Sequence, residues 1–237
     1  MNTMLGITLL GTGCPAVSTK RYGPANFVQC GGLNLVVDIG SGATQRLVGC
    51  GASGAIIDAL LITHIHTDHL VDLYQLIISS WHQNRDRKQV IYGPPGIRQL
   101  VNSTMEVWKT ERDLRIAWEK RSSIAAFEIE VHELDTEGVI LEQEGGRVTM
   151  VEVEHHPVEP AFGFIFEAAG HKLAVRVIRD IPIILSKPTG VPVCSFTKCL
   201  SMVQCRSRAP ARQRDWQMLL ITIQPVPTWG GWPERPG

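Results

Sequence analysis

Four side chains able to bind metal stand within six positions of one another: His64, His66, Asp68 and His69, in the stretch LLITHIHTDHLVDLY. Imidazole and carboxylate are the usual nitrogen and oxygen ligands of hydrolytic Zn²⁺, Mn²⁺ or Fe. In an H-x-H pair, alternate side chains leaving a strand end point the same way, so His64 and His66 can grip one ion. Asp68 and His69 come next on the turn, where they can face a second ion a few ångströms away. Two ions so placed generate a nucleophile from water at neutral pH and stabilise the charge that develops on the attacked centre. A lone histidine on a polar turn is most often only solvated. Four ligand-type residues directly behind a buried apolar run are not explained that way.

The elements that must position the cluster can be read around it. Residues 58–63 (DALLIT) are a continuous apolar run suited to a buried strand, and the cluster begins where it ends. Residues 70–83 have apolar positions at helical spacing. Upstream, residues 5–10 read as a strand entering the turn GTGCP. FVQCGG and LNLVVDIG form a strand pair about Gly31-Gly32, and SGATQRLVGCG reads as a short helix closed by glycine. Downstream, VIYGPPG is a strand and turn, and residues 97–118 are mostly helical. FEIEVHEL, GGRVTMVEVEHH and FGFIFEAAGHKLAV alternate or run apolar in strand fashion. Strands interleaved with helices predict a layered α/β sandwich. Within DIPIILSKPTGVPVCSF one strand fits, and beyond it no periodicity is clear.

Composition narrows the setting. The chain has 237 residues, 44% of them hydrophobic, which supports a sizeable core. Zero formal net charge removes any whole-chain electrostatic case for nucleic acid or membrane surfaces. MLGITLLGTG is short and lacks a basic flank, and no segment approaches the ~18 apolar residues of a membrane span. The expectation is a soluble, cytoplasmic protein. Its six cysteines show no C-x-x-C pair, so reduced thiols are expected rather than a disulfide framework. Composition also breaks along the chain. Residues 1–171 carry 13 Lys+Arg against 20 Asp+Glu and all eight histidines, whereas residues 172–237 carry 10 against 3 and no histidine. Two segments are expected: 1–173, which holds the cluster, and an atypical 174–237.

THIHTDH resembles the signature of the metallo-β-lactamase superfamily. GTGCPAVSTKRYGPANFVQCGG with LVVDIGSGATQRL is similar to the N-terminal portion shared by ribonuclease Z and arylsulfatase-like hydrolases, and HHPVEPAFGFIFEAAGHKL resembles the stretch carrying their third histidine. The resemblance covers roughly residues 5–173. It implies a four-layer αββα sandwich, incomplete or irregular in its C-terminal part, with a dinuclear site, usually zinc, at one edge of the sheets. By position, His64 and His66 bind the first metal, and Asp68 and His69 the second, with Asp68 also orienting or deprotonating water. The spacing back from Phe162-Gly163 selects His155 over His156 as the third histidine. Asp38 matches a position that braces the loops. His82, His132 and His171 have no partner at ligand spacing, and Cys14 reads as a small buried thiol.

The same pattern requires a bridging aspartate in S-G-D-T and a final histidine in H-T-S, both after residue 173. The chain has neither: it reads VRVIRD where S-G-D-T should fall, and Asp180 is late and in the wrong context. Codon arithmetic accounts for this. Val175–Arg179 can be written GTT CGG GTG ATA CGC, which from the third base contains TCG GGT GAT ACG, Ser-Gly-Asp-Thr. In the same frame, Ile221–Trp229 can encode Tyr-His-Thr-Thr-Ser-Thr-Asp-Val-Gly. A frameshift near residues 173–175 is therefore expected, leaving five of seven ligands and weak or no activity. A divergent tail is the alternative.

Three functions fit these residues: a hydrolase of small esters, sulfate esters, lactones or phosphoesters; a tRNA 3′-end endonuclease like ribonuclease Z; or an inactive product. The first ranks highest. Ribonuclease Z carries a long RNA-gripping arm between its third histidine and S-G-D-T, and only about twenty residues are available here. Related hydrolases also dimerise, which no residue pattern here addresses.

Overall fold

A computed structural model describes residues 4–177 and 193–196 of the chain. A six-stranded sheet runs in the order β1 (Met4–Gly11), β2 (Ala25–Gly31), β3 (Leu33–Val37), β4 (Ala59–Leu61), β5 (Gln89–Gly93), β6 (Ile129–Glu133). The first three strands are antiparallel, and β3 to β6 are mutually parallel. A second sheet has the order β11 (Val193–Phe196), β10 (His171–Val177), β9 (Phe162–Ala168), β8 (Gly146–Glu152), β7 (Gly138–Gln143).

The apolar patterns sort into two cores. Between the sheets, Val28, Leu35, Val37 and Leu61 meet Val148, Met150, Phe162, Phe164 and Phe166. On the other face of the first sheet, Val36, Leu60, Ile62 and Ile91 pack against residues of three helices. These are α1 (Ala43–Gly49), α2 (Leu73–His82) and α3 (Ile97–Val107), burying Leu47, Trp81 and Val101 among others. The parallel strand β4 is buried on both sides, which is why it reads as an unbroken apolar run. The result is the layered α/β metallo-β-lactamase sandwich that the sequence predicts. On the outward face of the second sheet, Thr149, Ile165 and Ala174 stand in register across three strands and are half-buried.

Two differences from the sequence reading have physical causes. The helix expected over 97–118 is broken at Trp108, which stacks on Tyr74 at 5.1 Å between ring centroids. Beyond the break, α4 (Lys109–Glu119) buries no residue. It turns polar groups inward, Glu111 accepting from the Tyr74 hydroxyl and Glu119 meeting His82, and leaves Leu114 and Trp118 exposed. Strand β7 has no counterpart in the sequence reading. It is an edge strand with no fully buried position and a register shift between Val139 and Leu141, so its sequence lacks a clean period of two. The strand allowed within 180–196 is β11, parallel to β10. Of the atypical segment 174–237, residues 174–177 end β10, and apart from these and β11 the segment, with Asp180, lies outside the described residues.

Candidate metal centre

Parallel strands β3 and β4 end side by side, with Val37 opposite Leu61. The residues just past those ends build the site, the usual place for chemistry in a sheet with parallel strands. Asp38 leaves β3 with φ 59°, a left-handed conformation rarely adopted outside glycine. Its backbone N–H donates to the Leu61 carbonyl at 2.9 Å. Its carboxylate is 3% exposed and fully engaged. Oδ1 accepts from the Thr63 backbone N–H at 2.9 Å, and the Thr63 hydroxyl lies 3.0 Å from Oδ1 and 2.9 Å from Oδ2. Oδ2 also lies 2.7 Å from Nδ1 of His69. The strain at Asp38, of the order of 1 kcal/mol, is offset by this set of bonds.

His64 comes directly after Thr63 and is completely buried. The single helical turn Thr67–His69 then folds back, and the Ile39 N–H donates to the His69 carbonyl at 2.8 Å. Gly40 is required here, because a Cβ would stand 2.4 Å from the Asp68 carbonyl oxygen. From the second sheet, the Phe162 N–H donates to the Thr63 carbonyl at 2.8 Å, tying the start of β9 to the cluster. The loop preceding β9 carries His155 inward.

Three imidazoles converge: one ligand atom from each of His64, His66 and His155 lies within 4.8 Å of the others. Nε2 of His64 is 2.8 Å from Nδ1 of His66, and the His64 ring centroid is 4.4 Å from that of His155. His69 is 4.2 Å from His64 ring to ring, and its Nε2 lies 3.8 Å from Oδ2 of Asp68. Asp68 and His69 are thus beside the triad rather than in it. The side chain of His156 points out, 83% exposed and toward Glu159. Elsewhere, His82 meets the Ile78 carbonyl and Glu119, His132 stacks on Tyr92, and His171 opens β10. Thr63 is the polar residue whose part in the site the sequence did not reveal. It stood directly before H-x-H, but its residue type alone gave no partner.

Electrostatics make the triad a fit for a cation. Burial, with the neighbouring His69, His155 and His66, pushes His64 down to about 2, so at neutral pH it is uncharged and keeps one bare ring nitrogen. Burial would also lower His69, but the charge and hydrogen bond of Asp38, with Asp68, outweigh it and raise that imidazole. A three-nitrogen donor set with His64 buried and uncharged matches Zn²⁺ and similar borderline ions.

The opposed shifts set a pH dependence for the metal-free chain. His64 binds its proton less well folded than unfolded, so it withdraws stability as pH falls below its ordinary 6.5. His69 binds its proton better folded, and its contribution is lost as pH rises through its elevated value. Denaturant titrations should show His64 costing up to about 1.4 kcal/mol per pH unit on the acid side. A His64→Gln chain should lose that slope, and an unchanged slope would disprove the assignment.

Fold and site together define a metallo-β-lactamase-fold protein. The sequence profile of the anti-Pycsar protein Apyc1 family matches residues 5–175, and the chain belongs to that family. Ribonuclease Z of Mycobacterium marinum (strain ATCC BAA-535 / M) is 35% identical over 170 residues, covering 70% of this chain and 60% of that protein. Ribonuclease Z of Mycobacterium sp. (strain KMS) is 37% identical over 169 residues, covering 70% and 58%. The chain therefore spans about 60% of the length of these curated relatives. Human tRNase Z, short form (ELAC1), superposes with a TM-score of 0.59 at 25% identity, covering 72% of this chain and 67% of that one. The metallo-β-lactamase-fold protein YhfI from Bacillus subtilis has a TM-score of 0.53 at 16% identity, covering 72% and 60%, and speaks to the fold alone.

Proposed function

We propose that this chain derives from a phosphodiester hydrolase of the ribonuclease Z type, with the 3′ end of precursor tRNA as substrate. The convergent His64, His66 and His155 carry the hydrolase reading. The ribonuclease Z relatives and the likeness to human tRNase Z support the choice of substrate, and they reverse the ranking that composition and length suggested. In this reading the triad holds one ion, and Asp68 and His69 contribute to a second. When bound, such ions, zinc foremost, lower the pKa of water and stabilise charge on the attacked phosphorus. The chain's own part is to keep His64 uncharged by burial, to place the Asp68 carboxylate where it can orient a water and take its proton, and to fix both through the Asp38 turn. No described helix is long and apolar enough to cross a membrane.

A second reading, hydrolysis of small phosphoesters or esters, has one specific support. Strands β9 and β10 are joined through Ala169 and Gly170 alone, so no inserted arm lies between His155 and Val177. The acidic balance of residues 1–171 also offers little to a phosphate backbone. Single-turnover cleavage of a precursor tRNA, compared with bis(p-nitrophenyl) phosphate and p-nitrophenyl esters at matched Zn²⁺ or Mn²⁺, separates the two. The endonuclease reading expects cleavage at the tRNA 3′ end at a higher kcat/KM than either small substrate. Ester or diester cleavage without any tRNA cleavage would refute it.

A further inference from the structure

Thr63 is 1% exposed, and its hydroxyl has two partners: the Asp38 carboxylate, at 2.9 and 3.0 Å, and Nδ1 of His64, at 2.9 Å. A hydroxyl has one proton to give, and an ionised carboxylate can only accept. If the proton went to His64, the Thr63 and Asp38 oxygens would face each other at hydrogen-bond distance with no hydrogen between them. It therefore goes to Asp38, and the Thr63 oxygen must accept from His64. Nδ1 of His64 is then the protonated nitrogen, and Nε2, on the side of His66, is the bare one.

The same carboxylate acts directly on the other side. Oδ2 of Asp38 accepts from Nδ1 of His69, so in the neutral form of that ring Nε2, toward Asp68, is the bare nitrogen. We propose that Thr63 is a positioning residue that relays Asp38 to His64, so that one buried carboxylate fixes the metal-facing nitrogen of a ligand in each half of the centre. Outer partners of ligating histidines generally serve this purpose. Here the hydroxyl extends the reach of Asp38 to a second imidazole. This rests on the metal-centre reading for its purpose, though the tautomer itself exists without an ion.

The test uses the full chain labelled with ¹⁵N-histidine, in metal-free form, with long-range ¹H–¹⁵N correlation of the ring nitrogens. The His64 signal is identified by its loss in His64→Gln. The expected spectrum has the His64 proton on Nδ1 and no proton on Nε2. The converse pattern overturns the relay. Zinc affinity, measured by competition with a chromophoric chelator, should fall about 10–100-fold in Thr63→Val and return in Thr63→Ser. Thr63→Val with wild-type affinity also overturns it. If Thr63→Val does not fold, the wild-type spectrum and Thr63→Ser still decide. A chain that shows the Nδ1 proton but takes up no zinc upholds the relay and sinks the metal-centre reading instead.

Discussion

A one-nucleotide insertion at the last base of codon 175 should raise metal content from one ion to two per chain and increase diester turnover by roughly 10³-fold, several kcal/mol of transition-state stabilisation. Such an insertion keeps Val175 and shifts the downstream codons into the frame that can read Ser-Gly-Asp-Thr, with Tyr-His-Thr-Thr-Ser further on. The aspartate would supply the anionic bridge and the late histidine the remaining ligand. Among the described residues the unaltered chain keeps the triad, with Asp68 and His69 beside it, Nε2 and Oδ2 3.8 Å apart. Without a bridging carboxylate, a second ion would be held more weakly there. The outward positions Thr149, Ile165 and Ala174 also need cover that a segment with 10 Lys+Arg and eight prolines is poorly suited to give, so solubility should improve with the restored frame. Sequencing the gene comes first. If its actual codons do not encode those segments in the shifted frame, the account fails. It fails equally if the unaltered chain binds two ions and turns over as fast as the insertion variant.

The frame of this site was legible because its requirements are strict. A strand buried on both faces must be apolar throughout, and the ligands must come immediately after it, so residues 58–69 announce both element and chemistry. Gly31, at φ 63°, marked the β2–β3 turn for a comparable reason. The features that could not be read depend on partners distant in sequence. The break at Trp108 arises from Tyr74, thirty-four positions earlier, and β7 depends on its neighbour β8 rather than on its own pattern. Thr63 illustrates the limit within the site. Whether its hydroxyl gives or receives a proton at His64 is decided by Asp38, twenty-five residues away. Position matched Asp38 to a loop-bracing role, but its dual reach to Thr63 and His69 is a matter of geometry.

Replacing His155 by alanine should lower zinc affinity by on the order of 10³-fold, about 4 kcal/mol, whereas His156→Ala should leave it unchanged. The adjacent pair poses a choice that sequence spacing only biases. In the structure, the two side chains have opposite fates. His155 brings a nitrogen within 4.8 Å of ligand atoms of His64 and His66, while His156 is 83% exposed beside Glu159. Removing one nitrogen of three leaves two imidazoles to hold the ion, so the loss should exceed what any outer partner costs. Removing the exposed ring touches a surface ion pair of little energetic weight. The His155 change also has a signature in the metal-free chain. His155 is one of the groups that depress His64, so His155→Ala should let His64 rise and reduce the acid-side loss of stability. That second readout guards against misfolding as the cause, because a disrupted cluster would expose His64 and abolish the slope altogether. Equal zinc affinities for the two alanine variants would remove His155 from the ligand set and leave the centre with His64 and His66 alone.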